Sequence, residues 1–220
     1  MSNLFRSAAI VAAVVGGLSS VASAVSPFTE GFDSNNSNWL DSASAGAGYA
    51  SDGVGGHLFN RFNFANQAAG GTPVLFRANS SPLASGGSFF GNWVSGGITE
   101  FSFDIRHNFD GNLNFYTRIA QTPFPGATIL STVNVAKDAW TTITFSINPS
   151  NPLFLSFEGS DFNTVFSAIS RLQIGVSTPV ALGNVNTSVT FELDNVRIVP
   201  APASAMLLGL LPLASRRRRA

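Results

Sequence analysis

The 220-residue chain has 11% charged residues, 21 glycines, 20 phenylalanines and no cysteine, which argues against long surface helices, a disulfide framework and two full-sized domains. Five of its twelve basic residues are Arg6 and the run Arg216 to Arg219, so Val25 to Val199 holds seven basic residues against all twelve acidic ones. A body at about −5 has no electrostatic footprint for nucleic acid, and without disulfides it must be held by its core, with a bound cation as the one further aid open to it.

Residues 1–24 come first in chain order. Arg6 precedes an apolar run from Ala8 to Leu18, and small residues follow at Ala22, Ser23 and Ala24. This order predicts a secretory signal helix cut after Ala24, with Ala22 and Ala24 as the small pair of the cleavage site. The protein is therefore expected to be exported.

From residue 25 to 199 short alternating runs lie between turn-rich clusters, which predicts one all-β domain, an antiparallel β-sandwich (jelly roll) with one short helix. Short strands are expected over Phe28–Phe32, Leu58–Phe64 and Val74–Phe76. In TEFSFDIRHNF, Phe101, Phe103, Ile105, His107 and Phe109 share one face, and Glu100, Ser102, Asp104, Arg106 and Asn108 share the other. After the turn DGN, LNFYTRIA alternates again, with Leu113, Phe115 and Ile119 inward and Asn114, Tyr116 and Arg118 outward; the two runs read as a hairpin. Further strands fit TILSTVNVA, where Ile129, Val133 and Val135 align, then WTTITFSI and SVTFELDNVRIV. NTVFSAISRL instead places Val165, Phe166, Ile169 and Leu172 at helical spacing, behind Asn163 or Thr164 as a cap. The glycine-rich stretches Gly46–Gly56 and Gly86–Gly97 read as loops, because neither has the strand-to-helix setting of a phosphate cradle.

No catalytic set emerges from the body. His57 reads as a loop residue and His107 as a core or strand-end histidine; the two are fifty residues apart, without metalloprotease spacing. No G-x-S-x-G elbow accompanies the serines. ELD at Glu192 to Asp194 resembles part of the E-x-D-x-E signature of a β-sandwich glycosidase family, but Asn195, Val196 and Arg197 follow, so the second glutamate is missing. The expectation is a protein that is not an enzyme. Aromatic rings that could stack on sugars are Trp39, Tyr49, Trp93, Tyr116 and Trp140. Trp93, Tyr116 and Trp140, with Asn114 and Arg118 beside Tyr116, are the candidate ligand-binding residues.

Residues 200–220 form the last segment. Ala203 to Ala214 is apolar but shorter than the roughly 17 to 25 residues of a membrane span, and Arg216, Arg217, Arg218 and Arg219 would keep that end cytoplasmic during export. The order of Val199, Pro200, Ala201 and Pro202, a short apolar stretch and an arginine cluster resembles the PEP-CTERM sorting signal. That resemblance implies a C-terminal hydrophobic sorting helix, transient insertion in the inner membrane, and removal by an exosortase-type enzyme. The departure is Ala201, where the commonest form has glutamate.

The body has a looser likeness. GGHLF, the stretch LFRANSSPLASGGSFFGNWVSGGITEFSFDIR, AWTTITFSI and FELDNVRIV resemble laminin-B-like (domain IV) modules and, more broadly, galactose-binding-like jelly rolls. Phe89, Phe90, Gly91 and Asn92 stand where that family often has FLGD. The resemblance implies a structural calcium held by acids near the first and last strands, and the matching positions are Glu30 and Asp194. Parity adds a local clue, since Phe191 and Leu193 share one face while Val196 and Ile198 take the other parity, so a bulge is expected at Asp194 and Asn195. The expected function is an exported, non-catalytic protein of the bacterial cell surface, envelope or extracellular matrix that binds polysaccharide or adheres. A self-associating surface component is the alternative, and a glycosidase or lyase a lesser one.

Overall fold

Residues 24–51, 53 and 55–201 are described by a computed structural model of the chain. The expected signal helix with Ala22, and the sorting tail with Pro202 and Arg216 to Arg219, lie outside the described residues.

Eleven strands and one short helix follow in order: β1 (Phe28–Glu30), β2 (Gly48–Ser51), β3 (Gly56–Asn63), β4 (Val74–Asn79), β5 (Ile98–His107), β6 (Leu113–Ala120), β7 (Gly126–Val135), β8 (Thr141–Ser146), β9 (Phe154–Ser156), α1 (Phe162–Phe166), β10 (Arg171–Ser177) and β11 (Ser188–Pro200). One sheet runs β2-β3-β11-β5-β8, and the other runs β4-β10-β6-β7-β9. β11 pairs with β3 through its first half and with β1 through its second, where Phe28 faces Ile198. All pairings between strands are antiparallel, and the chain crosses repeatedly between the sheets, as in a jelly roll.

The inward positions of both sheets close one aromatic core. Phe101, Phe103 and Ile105 of β5, Phe191 and Leu193 of β11, and Ile143 and Phe145 of β8 face Phe115, Ile119, Ile129 and Ile174 of the second sheet, all buried. Alternation, strand by strand, is what turns these residues inward. Phe101 stacks against Phe145 at 6.4 Å between ring centroids, and Phe115 meets Phe191 edge-on at 6.1 Å.

Several expectations change. β5 and β6 are not a hairpin: β5 pairs with β11 and β8, whereas β6 pairs with β10 and β7 in the opposite sheet. Two consecutive amphipathic strands obey the same parity whether they pair side by side or face each other across a core. In β7 two residues are added between the partners of Asn114 and Tyr116, so Val133 turns to solvent while Ile129 and Val135 remain buried. The helix starts earlier than expected, at a cap on Asp161, whose Oδ1 accepts from the Thr164 amide at 2.8 Å, and spans only five residues because it ends at Phe166; Leu172 belongs to β10. The glycine-rich stretch 46–56 conceals β2. Gly48 lies under the Phe59 ring, and a Cβ there would approach that ring to 2.5 Å.

The expected bulge is present. Pairing of β11 with β5 slips between Asp194 and Arg197, and Asn195 takes φ 47°, a left-handed conformation that asparagine tolerates better than most residues.

Candidate functional site

The outer face of the first sheet collects the side chains that alternation turns away from the core. Across it Glu192 of β11 pairs with Arg106 of β5 and with Phe59 of β3, and Asp194 pairs with Asp104. Opposite charges at directly facing positions favour this register, and the Arg106 Nε donates to Glu192 Oε2 in a close ion pair. His57, on β3 and not in a loop as expected, brings Nε2 to 3.6 Å from Glu192 Oε1.

Trp140, just before β8, completes the group. The Arg106 guanidinium carbon lies 4.8 Å from the Trp140 ring centroid, and the His57 ring meets the indole edge-on at 5.8 Å. Trp140, Arg106, Glu192 and His57 thus form a closed circuit of contacts. The indole is held in place yet 41% exposed, and Phe59 is 39% exposed on the same face. Beside the circuit a polar hollow of about 370 Å³ is lined by Arg106, Asn108, Asp138, Thr190 and Glu192, a volume within the range of about 300–1,000 Å³ seen for ligand sites.

A second row holds the acids. Asp104 Oδ1 accepts from Thr142 Oγ1 at 2.5 Å, and the Asn195 side-chain amide donates to Asp104 Oδ2 at 2.9 Å and to Asp194 Oδ2 at 3.3 Å. The bulge therefore places a neutral donor between two carboxylates that would otherwise repel. Burial raises the Asp194 carboxyl above its ordinary value, and the charges of Asp104 and Asp33 add to that rise, against the Asn195 amide and His57, which lower it.

The candidate sugar contacts named from the sequence are not gathered in one place. Trp140 lies at this face. Trp93 is fully buried, its Nε1 donating to the Phe89 carbonyl at 2.8 Å, so its ring offers no stacking surface. Trp39 is likewise buried, with Nε1 donating to Ser85 Oγ at 2.8 Å. Asn114, Tyr116 and Arg118 do face outward, but on the second sheet. There the Tyr116 ring covers Gly175 and its hydroxyl donates to the Thr72 carbonyl at 2.6 Å, leaving it 5% exposed. Burial pushes the Tyr116 hydroxyl up to about 12. Arg118 is tied bidentately to Glu158, whose carboxyl that contact holds below its usual range, and Asn114 Nδ2 donates to the Val133 carbonyl at 3.3 Å. Tyr49 is half-buried, its hydroxyl donating to the Asp33 carbonyl.

For the expected calcium, Glu30 Oε1 accepts from the Phe32 amide at 3.0 Å, while Asp194 is engaged by Asn195. Among the described residues no three His, Asp or Glu side chains converge to hold a metal ion. His107 is a buried core residue as expected. Its Nε2 contacts the Val135 carbonyl at 3.0 Å, Nδ1 accepts from the Phe109 amide, and burial lowers its pKa.

Arg106, Glu192, Asp104 and His57 were the residues that sequence reasoning did not name as ligand contacts. The signal was the outward parity of Asp104 and Arg106 on one strand and Glu192 and Asp194 on another. Only the pairing of β5 with β11 turns those two stripes into one surface.

No family model matches the sequence, and no curated protein matches it. Solved structures do resemble it in fold. The family 11 carbohydrate-binding module from Clostridium thermocellum, in complex with a β-1,3-1,4-mixed-linked tetrasaccharide, is 14% identical with a TM-score of 0.47, over 81% of this chain and 98% of that one. An exo-β-agarase is 13% identical with a TM-score of 0.49, over 79% of this chain and 25% of that one. The CBM22-1 and GH10 modules of Clostridium thermocellum xylanase 10B, complexed with xylohexaose, are 13% identical with a TM-score of 0.45, over 80% of this chain and 28% of that one. The chain thus spans well under a third of the agarase and xylanase chains. These likenesses concern the fold alone.

Proposed function

We propose that the β-sandwich is a non-catalytic polysaccharide-binding module, and that the sugar chain lies across the outer face of the first sheet. Trp140 is the observation that carries this reading: it is the one tryptophan of three with its ring open to solvent among the described residues, and Arg106 and His57 hold it rigidly. A pre-set indole stacks on the apolar face of a pyranose at little cost in ordering. Glu192, Arg106 and Thr190 around the adjoining hollow supply acceptors and donors for ring hydroxyls. Glu192 is paired with Arg106 and has no second glutamate beside it, which favours binding over hydrolysis.

The module belongs, on this reading, to an exported protein. Residues 1–24 direct secretion, and the tail from residue 200 is a sorting signal removed by an exosortase-type enzyme at the inner membrane, leaving the body in the envelope or extracellular matrix. The order of the segments in the sequence supports this, and intact-mass analysis of the protein recovered from its native envelope tests it: a start at Val25 and loss of the arginine cluster are expected.

Binding is tested by isothermal titration of the full chain against a panel of neutral and acidic polysaccharides. Saturable binding of at least one, without release of reducing ends, is expected. A folded protein that binds none of them, or one that liberates reducing ends, overturns the reading.

A further inference from the structure

At one end of the sandwich a mainly apolar pocket of about 280 Å³ opens between the β5 and β8 ends of the first sheet and α1, far in chemistry from the polar face described above. Trp93, Val94, Ile98, Ile147, Phe162 and Phe166 line it. Val94 is exposed and Phe162 half-buried, so apolar surface is left in contact with water there.

The last strand ends at this pocket. Pro200 pairs with Ile98, and the Ala201 amide donates to the carbonyl of Gly97, itself part of the lining, at 3.0 Å. Nineteen residues follow Ala201, and within them Met206, Leu207, Leu208, Leu210 and Leu211 form the most apolar run of that segment. We propose that this pocket is the docking site of the chain's own segment Met206 to Leu211, which shields both apolar surfaces from water until the tail is drawn into a membrane or cut.

Three considerations favour this occupant over others. The lining is mainly apolar and the volume suits a few aliphatic side chains. Met206 lies five positions beyond Ala201, at most about 18 Å of extended chain, so the segment reaches the pocket at a high effective concentration. A second copy would have to bury a patch of roughly 800 Å² per partner, and a single pocket of this size does not supply one. The inference does not rest on the glycan reading, since the two surfaces share no residue.

The absence of cysteine makes the test direct. Thr99, an exposed residue of the lining, is replaced (Thr99→Cys) in the full chain together with Met206→Cys, Leu208→Cys or Leu211→Cys, three tail positions that sample the register. The control is Ser26→Cys, an exposed site two residues before Phe28, which pairs with Ile198 and so lies as near to the end of β11 but on its other flank. Under mild oxidation, intramolecular disulfides at Thr99→Cys are expected to form roughly tenfold faster than at the control for at least one tail position. Equal rates at the two sites, or only disulfide-linked dimers, overturn the proposal. A second reading uses no cysteine. Leu207→Asp with Leu208→Asp removes apolar side chains, yet binding of a hydrophobic dye is expected to rise as the pocket opens; unchanged or reduced dye binding contradicts docking.

Discussion

The guanidinium carbon of Arg106 sits 4.8 Å from the centroid of the Trp140 ring while its Nε donates to Glu192, so one arginine joins the aromatic platform to the acid beside it. Lysine carries the charge but neither the planar stack nor the fork. Arg106→Lys is expected to weaken polysaccharide binding by about two- to fivefold, the worth of roughly 0.5–1 kcal/mol of cation–π contact, with little change in thermal stability. Titration of the variant beside the parent checks it; an unchanged affinity would mean that Trp140 needs no support.

Trp93 and Trp140 should respond in opposite ways to the same substitution. Trp93 is sealed among Phe101, Phe166 and Phe89, and Trp93→Ala is expected to cost about 3–5 kcal/mol in denaturant unfolding. Trp140→Ala removes a half-open ring and is expected to leave unfolding nearly unmoved.

Parity sorted most inward from outward positions correctly: Phe101, Phe103, Ile105, Phe115 and Ile119 are all buried, and the change of parity around Asn195 located the bulge. Parity names a face but not a neighbour, so it could not tell that β5 and β6 lie in different sheets, nor that Arg106 meets Glu192. Nor does it register what lies over a strand. Tyr116 points away from the core as expected, yet its ring is covered because Gly175 makes room for it and Thr72 captures its hydroxyl. β10 escaped notice because RLQIGVS, flanked by strands on both sides in its sheet and buried along five successive positions, shows little alternation.

Gly175 and Tyr116 supply a stability test remote from the site. A Cβ at position 175 would lie 2.4 Å from the Tyr116 ring and 2.5 Å from the Pro73 carbonyl oxygen. Gly175→Ala is expected to cost about 1–3 kcal/mol through overpacking, and Tyr116→Phe about 1 kcal/mol through loss of one hydrogen bond. Both losses are read by chemical denaturation, and neither variant should lose polysaccharide affinity. A marked loss in Tyr116→Phe would return the second sheet to consideration as the binding face.

Asp194 gives a prediction with a definite sign. Its carboxyl is raised above the ordinary 3.8 in the folded protein, mainly by burial. Such a group contributes stability below its unfolded value, and that contribution is lost as pH rises through the folded value. At pH 7 the wild-type protein therefore carries the cost of an ionised, half-buried acid facing Asp104. Asp194→Asn is expected to raise the melting temperature at pH 7, and the gain should shrink as pH falls through the raised folded value and be gone below the ordinary 3.8. A cation held there would reverse the result, so the melt is repeated with calcium and with chelator; destabilisation of the variant in calcium alone would restore the metal reading.

The most direct test of the central claim is affinity electrophoresis of the full chain and of Trp140→Ala through gels containing a polysaccharide that the parent binds. The account predicts that the parent is retarded and that Trp140→Ala, with an unaltered unfolding curve, loses most of that retardation, a fall of roughly tenfold in affinity for one stacked ring. Equal retardation of the two proteins would contradict it, and would move the binding surface away from the circuit of Trp140, Arg106, Glu192 and His57.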